Sequence, residues 1–141
     1  MSDAIHATSV AIGGRGILIA GKAGRGKSDL ALRLIDRGAQ LVSDDYTRVA
    51  AHDGRLWASA PDTIAGRVEV RGIGIVELDH ASAPVPVSLL VDLDAMPERL
   101  PAARASIIQG LALPVVELAA LEASAPIKVE MALEMFGLPL P

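Results

Sequence analysis

The chain has 141 residues, enough for one domain with its own hydrophobic core, and it contains no cysteine. Disulfide frameworks and thiolate metal sites are therefore excluded. A net charge of −4 and an aromatic content of 2% argue against a nucleic-acid-binding surface, which needs basic patches and stacking platforms. No apolar run is long enough to span a membrane, and the N-terminus lacks a signal-peptide pattern. We therefore expect a cytoplasmic protein that binds neither nucleic acid nor membrane.

The first half of the chain alternates short β segments with one helix. Two β segments, Ile5 to Ile12 and Gly16 to Ala20, flank a glycine-rich turn. A helix is predicted from Ser28 to Arg37, with Gly38 at the C′ position. Leu41-Val42 is predicted to be a short buried strand, and Asp53-Gly54 indicates a hairpin turn between strands 47–51 and 55–58.

Further β segments and a second helix are predicted in the second half. The predicted strands are Val68 to Arg71, Ile73 to Leu78, Val87 to Leu93 and Leu111 to Leu118, the last with Pro114 at an edge or bulge. Residues 97–114 show only a weak pattern. The helix has Ser124 as N-cap and an apolar stripe of Val129, Ala132, Leu133 and Phe136, and Gly137 ends it. Together the elements predict a single α/β domain over residues 1–141, a P-loop-containing mixed sheet flanked by helices.

A phosphate-binding loop is the strongest local signal. Residues Gly21, Lys22, Ala23, Gly24, Arg25, Gly26, Lys27 and Ser28 fit the pattern G-x-x-x-x-G-K-[ST], between a predicted strand and a predicted helix. The glycines allow backbone N–H groups to form an anion-binding nest, and the helix N-terminus adds partial positive charge. Lys27 is placed to reach the β- and γ-phosphates and Ser28 to ligate Mg²⁺. The loop therefore predicts binding of a nucleoside triphosphate or a related polyphosphate; the alternative is a glycine-rich turn with an incidental lysine.

Three acidic residues and a histidine are candidates for the remainder of the site. Asp44 and Asp45 end a strand predicted to return beside the P-loop, so one could face the metal and the other the phosphoryl acceptor. The alternative is a polar turn that caps the strand. Glu69 is either a functional carboxylate or a solvent-facing strand residue. His6 is either functional or an ordinary histidine at a strand edge.

These residues together resemble the catalytic domain of the HPr kinase/phosphorylase family. The resemblance rests on His6 in the strand before the P-loop, on the loop itself, on Arg37-Gly38 and on the run from Leu41 to Asp45. A second motif, Glu69 to Ile75, resembles the family's second signature. The match covers residues 5–78, just over half of the chain.

The resemblance implies an ATP-dependent protein serine kinase that phosphorylates the phosphocarrier HPr and also removes that phosphate by phosphorolysis. It implies that Asp44 is the general base, with His6 beside it and Lys27 holding phosphates. Ser28, Asp45 and Glu69 would serve Mg²⁺, and Arg71 would brace the motif or meet a phosphate. Arg99 and Arg104 are candidates by neighbourhood alone.

The chain departs from the family pattern in the P-loop and in its length. Lys22 and Ala23 stand where the family usually has an acidic and a small hydroxyl residue, and Arg25 replaces a common aliphatic one. We expect the family's separate N-terminal domain to be missing, which leaves homo-oligomer formation and phosphorylase activity open.

Two other functions stay open: a P-loop kinase with another substrate, and a non-enzymatic nucleotide-binding sensor.

Overall fold

The computed structural model describes residues 2–141, which form eleven strands and two helices. The strands are β1 (Ser2–Ile5), β2 (Ala7–Ile12), β3 (Arg15–Ala20), β4 (Gln40–Ser43), β5 (Thr47–His52), β6 (Arg55–Ser59), β7 (Arg67–Val70), β8 (Gly74–Glu77), β9 (Val85–Asp92), β10 (Arg104–Ile108) and β11 (Leu111–Glu117). The helices are α1 (Lys27–Asp36) and α2 (Ala125–Phe136). None of the helices in this part of the chain is long and apolar enough to cross a membrane.

The strand β9 lies at the centre of a nine-stranded mixed sheet. The main path through the sheet runs β1-β5-β6-β9-β3-β2-β4. β3 is parallel to β9 along one edge, whereas the other edge is shared between two strands. β6 pairs with the first residues of β9, and β11 pairs with its last residues and carries β10 at its outer edge. Strands β7 and β8 form a separate two-stranded hairpin.

Two hydrophobic cores cover the two faces of this curled sheet. On one face the helices pack through Leu30, Leu34, Val129 and Leu133 against Ile17, Ile19, Leu89 and Val91 of β3 and β9. The other face is filled mainly by Leu18, Val42, Val49, Leu56, Val87 and Leu113. Because both faces of β3 and β9 are buried, these strands are continuous apolar runs in the sequence rather than alternating ones. The expected α/β domain with a mixed sheet and helices is confirmed.

Two predicted turns have the backbone geometry that their residues favour. At the β5–β6 turn, Asp53 and Gly54 have φ angles of 51° and 74°, as a two-residue type I′ hairpin requires. At the end of α1, Gly38 has φ 109°, and its amide and that of Ala39 donate to carbonyls of the last helical turn. These two bonds form a Schellman motif, which stops the helix and leads the chain into β4.

Several predicted boundaries and contacts differ from the structure. The strand predicted over residues 5–12 is two strands, because the chain passes at His6 from pairing with β5 to pairing with β3. β10 was not predicted, since its alternation is weak. Phe136 lies half exposed instead of completing the apolar stripe of α2. Ser124 occupies the N-cap position, but its side chain forms no cap hydrogen bond.

Candidate active site

The loop from Gly21 to Gly26 connects β3 to α1 and requires glycine at its last position. Gly26 is the N-cap of α1 and has φ 95°, in the left-handed region that side chains rarely adopt. A Cβ atom there would lie 3.3 Å from Cβ of Ala120, so the neighbouring segment also leaves little space. The loop amides and the N-terminus of a ten-residue helix therefore meet in one place, which favours a bound anion.

The Lys27 side chain is buried and folds back on the loop. Its Nζ atom donates to the carbonyl oxygen of Gly21 at 2.7 Å and to that of Lys22 at 3.3 Å. These bonds hold the ammonium group within the loop, where a phosphate oxygen could replace a carbonyl as its acceptor.

The carboxylate of Asp44 is buried beside the start of α1. Strands β3 and β4 both pair antiparallel with β2, so their carboxyl ends lie at the same edge of the sheet. Asp44, which follows β4, is 6% exposed. Its Oδ1 atom accepts from Oγ of Ser28 at 2.5 Å and from Oγ1 of Thr8 at 3.2 Å, and its Oδ2 atom accepts from the amide of Glu69 at 3.3 Å. The sheet therefore brings the segment that carries Asp44 next to Ser28 at the start of α1.

The next residue, Asp45, turns its carboxylate outward. It has φ 67°, and its amide donates to Oγ1 of Thr8 at 3.1 Å, which fixes the turn. Its Oδ1 atom lies 2.9 Å from Nε2 of His6, and the His6 ring packs 5.1 Å from the ring of Tyr46. The Asp45 side chain is 60% exposed, so it remains accessible to a second molecule. The expected divergence of the two carboxylates is present, but His6 accompanies Asp45 and not Asp44.

The predicted second motif reaches the site through its backbone only. The side chain of Glu69 is exposed, and its amide is the group that contacts Asp44. Arg71 is exposed in the turn after β7. Within residues 2–141, no three histidine, aspartate or glutamate side chains are grouped closely enough to hold a metal ion. The hydroxyl of Ser28 and the carboxylate of Asp44 are the oxygen groups that lie together at the start of α1.

Neither arginine named by neighbourhood lies in the site. Arg104 begins β10 and pairs with two carboxylates, with its Nη1 atom 2.9 Å from Oε2 of Glu117 and 3.8 Å from Oδ2 of Asp92. Arg99 is exposed in the irregular segment that precedes β10.

Three residues that contact the site were not among the sequence candidates. Thr8 bridges both aspartates, Tyr46 packs on His6, and Asp94 accepts from the amide of Lys22 at 2.9 Å. For Asp94 a signal existed, because polar residues after the carboxyl end of a central strand are expected near the ligand. Thr8 had none, since a threonine within a strand is an ordinary strand residue.

Comparison with known proteins identifies the family. The model of the HPr Serine kinase C-terminal domain matches residues 1–83. HPr kinase/phosphorylase of Clostridium botulinum (strain Eklund 17B / Type B) is 46% identical over 74 residues, which cover 52% of this chain and 24% of the relative. The enzyme of the same name from Geobacillus thermodenitrificans is 42% identical over 100 residues, covering 66% and 32%. The chain thus spans about a quarter to a third of the length of these curated relatives.

A solved structure extends the similarity to almost the whole chain. The Hpr(Ser) kinase/phosphatase from Coxiella burnetii superposes with a TM-score of 0.80 at 30% sequence identity, and the match covers 94% of each chain. The similarity therefore includes β9 to α2, beyond the residues that the family model matches. On both comparisons, the chain belongs to the HPr Serine kinase C-terminal domain family.

Proposed function

We propose that this chain is an ATP-dependent serine kinase acting on an HPr-type phosphocarrier protein, and that it also catalyses phosphorolysis of the phosphoserine. The observation that carries the proposal is the arrangement of Ser28, Asp44 and Asp45 at one edge of the sheet. A buried carboxylate bonds the P-loop serine, and the adjacent exposed carboxylate is paired with His6. Family membership supports an HPr-type substrate, and we propose a cytoplasmic setting.

ATP would bind with its phosphates along residues 21–28. The loop amides and the α1 N-terminus would contact phosphate oxygens, and Nζ of Lys27 would exchange its carbonyl acceptors for the β- and γ-phosphates. The exchange is favourable because a bond between an ammonium group and a charged oxygen is stronger than one to a neutral carbonyl.

Mg²⁺ fits the oxygen donors of Ser28 and Asp44. Their hydrogen bond of 2.5 Å brings a hydroxyl and a carboxylate together at the start of α1, the donor types that this hard cation prefers. When bound, the ion would neutralise charge on the β- and γ-phosphates. We retain Glu69 as an outer partner acting through the metal's water shell, because its amide already contacts Asp44.

The geometry favours Asp45 over Asp44 as the general base. Asp44 is buried and its oxygens accept three hydrogen bonds, so it is poorly placed to meet a serine of another protein. Asp45 is exposed and is oriented by His6. In the forward reaction Asp45 would take the serine hydroxyl proton while the serine oxygen bonds to the γ-phosphorus and the bond to the ADP oxygen breaks. This exchanges the roles that the sequence resemblance implied for the two aspartates.

The same residue would serve the reverse direction. In phosphorolysis, inorganic phosphate attacks the phosphoserine phosphorus, the bond to the serine oxygen breaks, and pyrophosphate forms. The leaving serine oxygen requires a proton, which Asp45 would donate. Asp45 would take that proton from the attacking phosphate, and it must stay within hydrogen-bond reach of the serine in both directions.

The test is to incubate the chain with Mg-ATP and purified HPr and to locate any added phosphate by mass spectrometry. Phosphoserine on HPr supports the proposal, whereas ATP turnover without modified HPr favours a kinase with another substrate. Tight nucleotide binding without turnover favours a sensor module. Asp53→Asn is the matched control for Asp45→Asn. Asp53 is also an aspartate at positive φ, and its Oδ2 atom lies 3.2 Å from Nε2 of a histidine, His52, outside the site.

A further inference from the structure

The carboxylate of Asp94, two residues after the central strand β9, contacts the beginning of the P-loop. The Oδ1 atom of Asp94 accepts from the amide of Lys22 at 2.9 Å and lies 3.3 Å from Nε of Arg25. Lys22 and Arg25 are both loop positions at which the sequence departs from the family pattern. One aspartate therefore contacts the backbone of the first departing residue and the side chain of the last.

Asp94 is itself held at the junction of two parallel strands. The amide of Leu93 donates to the carbonyl of Ala20 at 2.9 Å, which continues the pairing of β9 with β3 up to the start of the loop. The amide of Asp94 donates to Oδ1 of Asp92 at 2.9 Å, forming an Asx turn. The backbone of Asp94 is thus held against the sheet, and its carboxylate holds the loop by a hydrogen bond.

We infer that Asp94 is a positioning residue that holds the P-loop in its nucleotide-binding conformation. The inference rests on the proposed function, because it concerns the affinity of the same loop for ATP. The α1 N-terminus fixes the far end of the loop at Gly26, and Asp94 fixes the near end at Lys22. A loop anchored at both ends loses less conformational freedom when phosphates bind, so anchoring raises affinity without a direct contact to the nucleotide.

The sign of the effect separates positioning from simple electrostatics. A carboxylate near a polyphosphate repels it, so removal of the Asp94 charge alone would strengthen ATP binding. Positioning predicts the opposite for Asp94→Ala, which removes the acceptor of the Lys22 amide. Asp94→Asn loses the same charge but keeps an oxygen acceptor. The comparison of these two variants therefore isolates the loss of the oxygen acceptor that the Lys22 amide and Nε of Arg25 share.

The expected difference is measurable by calorimetry. We expect the Kd for Mg-ATP to be about fivefold higher for Asp94→Ala than for Asp94→Asn, the effect of one net hydrogen bond. The kcat at saturating ATP stays within about twofold of wild type, because the bond acts on the loop and not on the reacting atoms. Asp62→Ala, which removes an exposed carboxylate before β7, serves as control and leaves Kd unchanged.

Amide hydrogen exchange of the nucleotide-free protein provides a second measurement. We expect residues 21–26 to exchange faster in Asp94→Ala than in Asp94→Asn or wild type. Unchanged loop exchange, or faster exchange with equal Kd values for the two variants, would overturn the inference. A wild-type chain that does not bind ATP would instead overturn the proposed function, on which the inference depends.

Discussion

Asparagine substitution of the two adjacent aspartates, one at a time, separates a supporting carboxylate from a reacting one. In Asp44→Asn, the oxygen of the amide can still accept from Ser28 and Thr8, so its NH₂ group faces the amide of Glu69. Two donors then meet without an acceptor at a part-buried position, at a cost of about 1–3 kcal/mol. For a chain of this size the melting temperature should fall by about 3 °C per kcal/mol.

Asp45→Asn should leave stability unchanged and remove activity. Asp45 has φ 67°, a conformation that asparagine also tolerates, and its side chain is 60% exposed. The free energy of unfolding should therefore change by less than about 0.5 kcal/mol. Loss of the general base should lower the rate of HPr phosphorylation by about 100- to 10,000-fold, while ATP affinity remains close to wild type.

Differential scanning fluorimetry, calorimetry with Mg-ATP and initial phosphorylation rates measure these three quantities on the same preparations. The assignment of roles would be refuted if Asp45→Asn phosphorylated HPr within tenfold of the wild-type rate. It would also be refuted if Asp44→Asn kept full stability and full ATP affinity but lost the reaction, since Asp44 would then be the base.

Three further substitutions test the loop and the fold. Lys27→Ala removes the ammonium group and should raise the Kd for Mg-ATP by about 10- to 100-fold, as calorimetry measures; unchanged affinity would contradict the P-loop assignment. Gly26→Ala introduces a side chain at φ 95°, 3.3 Å from Ala120, and should lower the free energy of unfolding in urea by about 1–3 kcal/mol. Gly66→Ala places Cβ 2.7 Å from Nδ1 of His80 at φ 76° and should lower the melting temperature; an unchanged melting temperature would contradict both the close contact and the backbone strain.

Local sequence signals predicted the parts of the fold that depend on neighbouring residues. The Asp53-Gly54 turn, the Gly38 helix end and the apolar β9 strand each follow from backbone preference or continuous burial. The separation of β1 from β2 could not be predicted in this way. The residues before His6 pair with β5 and those after it pair with β3, and no local pattern marks this change of partner. β10 was missed for a different reason: it is an edge strand whose alternation of buried and exposed residues is weak.

The sequence named the ionisable candidates of the site, but not Thr8, Tyr46 or Asp94, and not the hydrogen-bond partners of the two aspartates. Chain direction indicated that Asp44 and Asp45 return to the P-loop edge, and the two carboxylates do diverge there. Which one turns inward depends on the positive φ of Asp45 and on the bridging hydroxyl of Thr8. Both features arise from tertiary contacts between β2 and the end of β4, so no local pattern reports them.

We propose that this chain transfers a phosphoryl group from ATP to a serine of HPr. The most direct measurement uses radiolabelled Mg-ATP with wild-type HPr and with HPr whose acceptor serine is replaced by alanine. We expect label on wild-type HPr as phosphoserine, none on the alanine form, and none with the Asp45→Asn variant of the chain. Label on both forms of HPr, or on neither while the chain binds ATP, would contradict it.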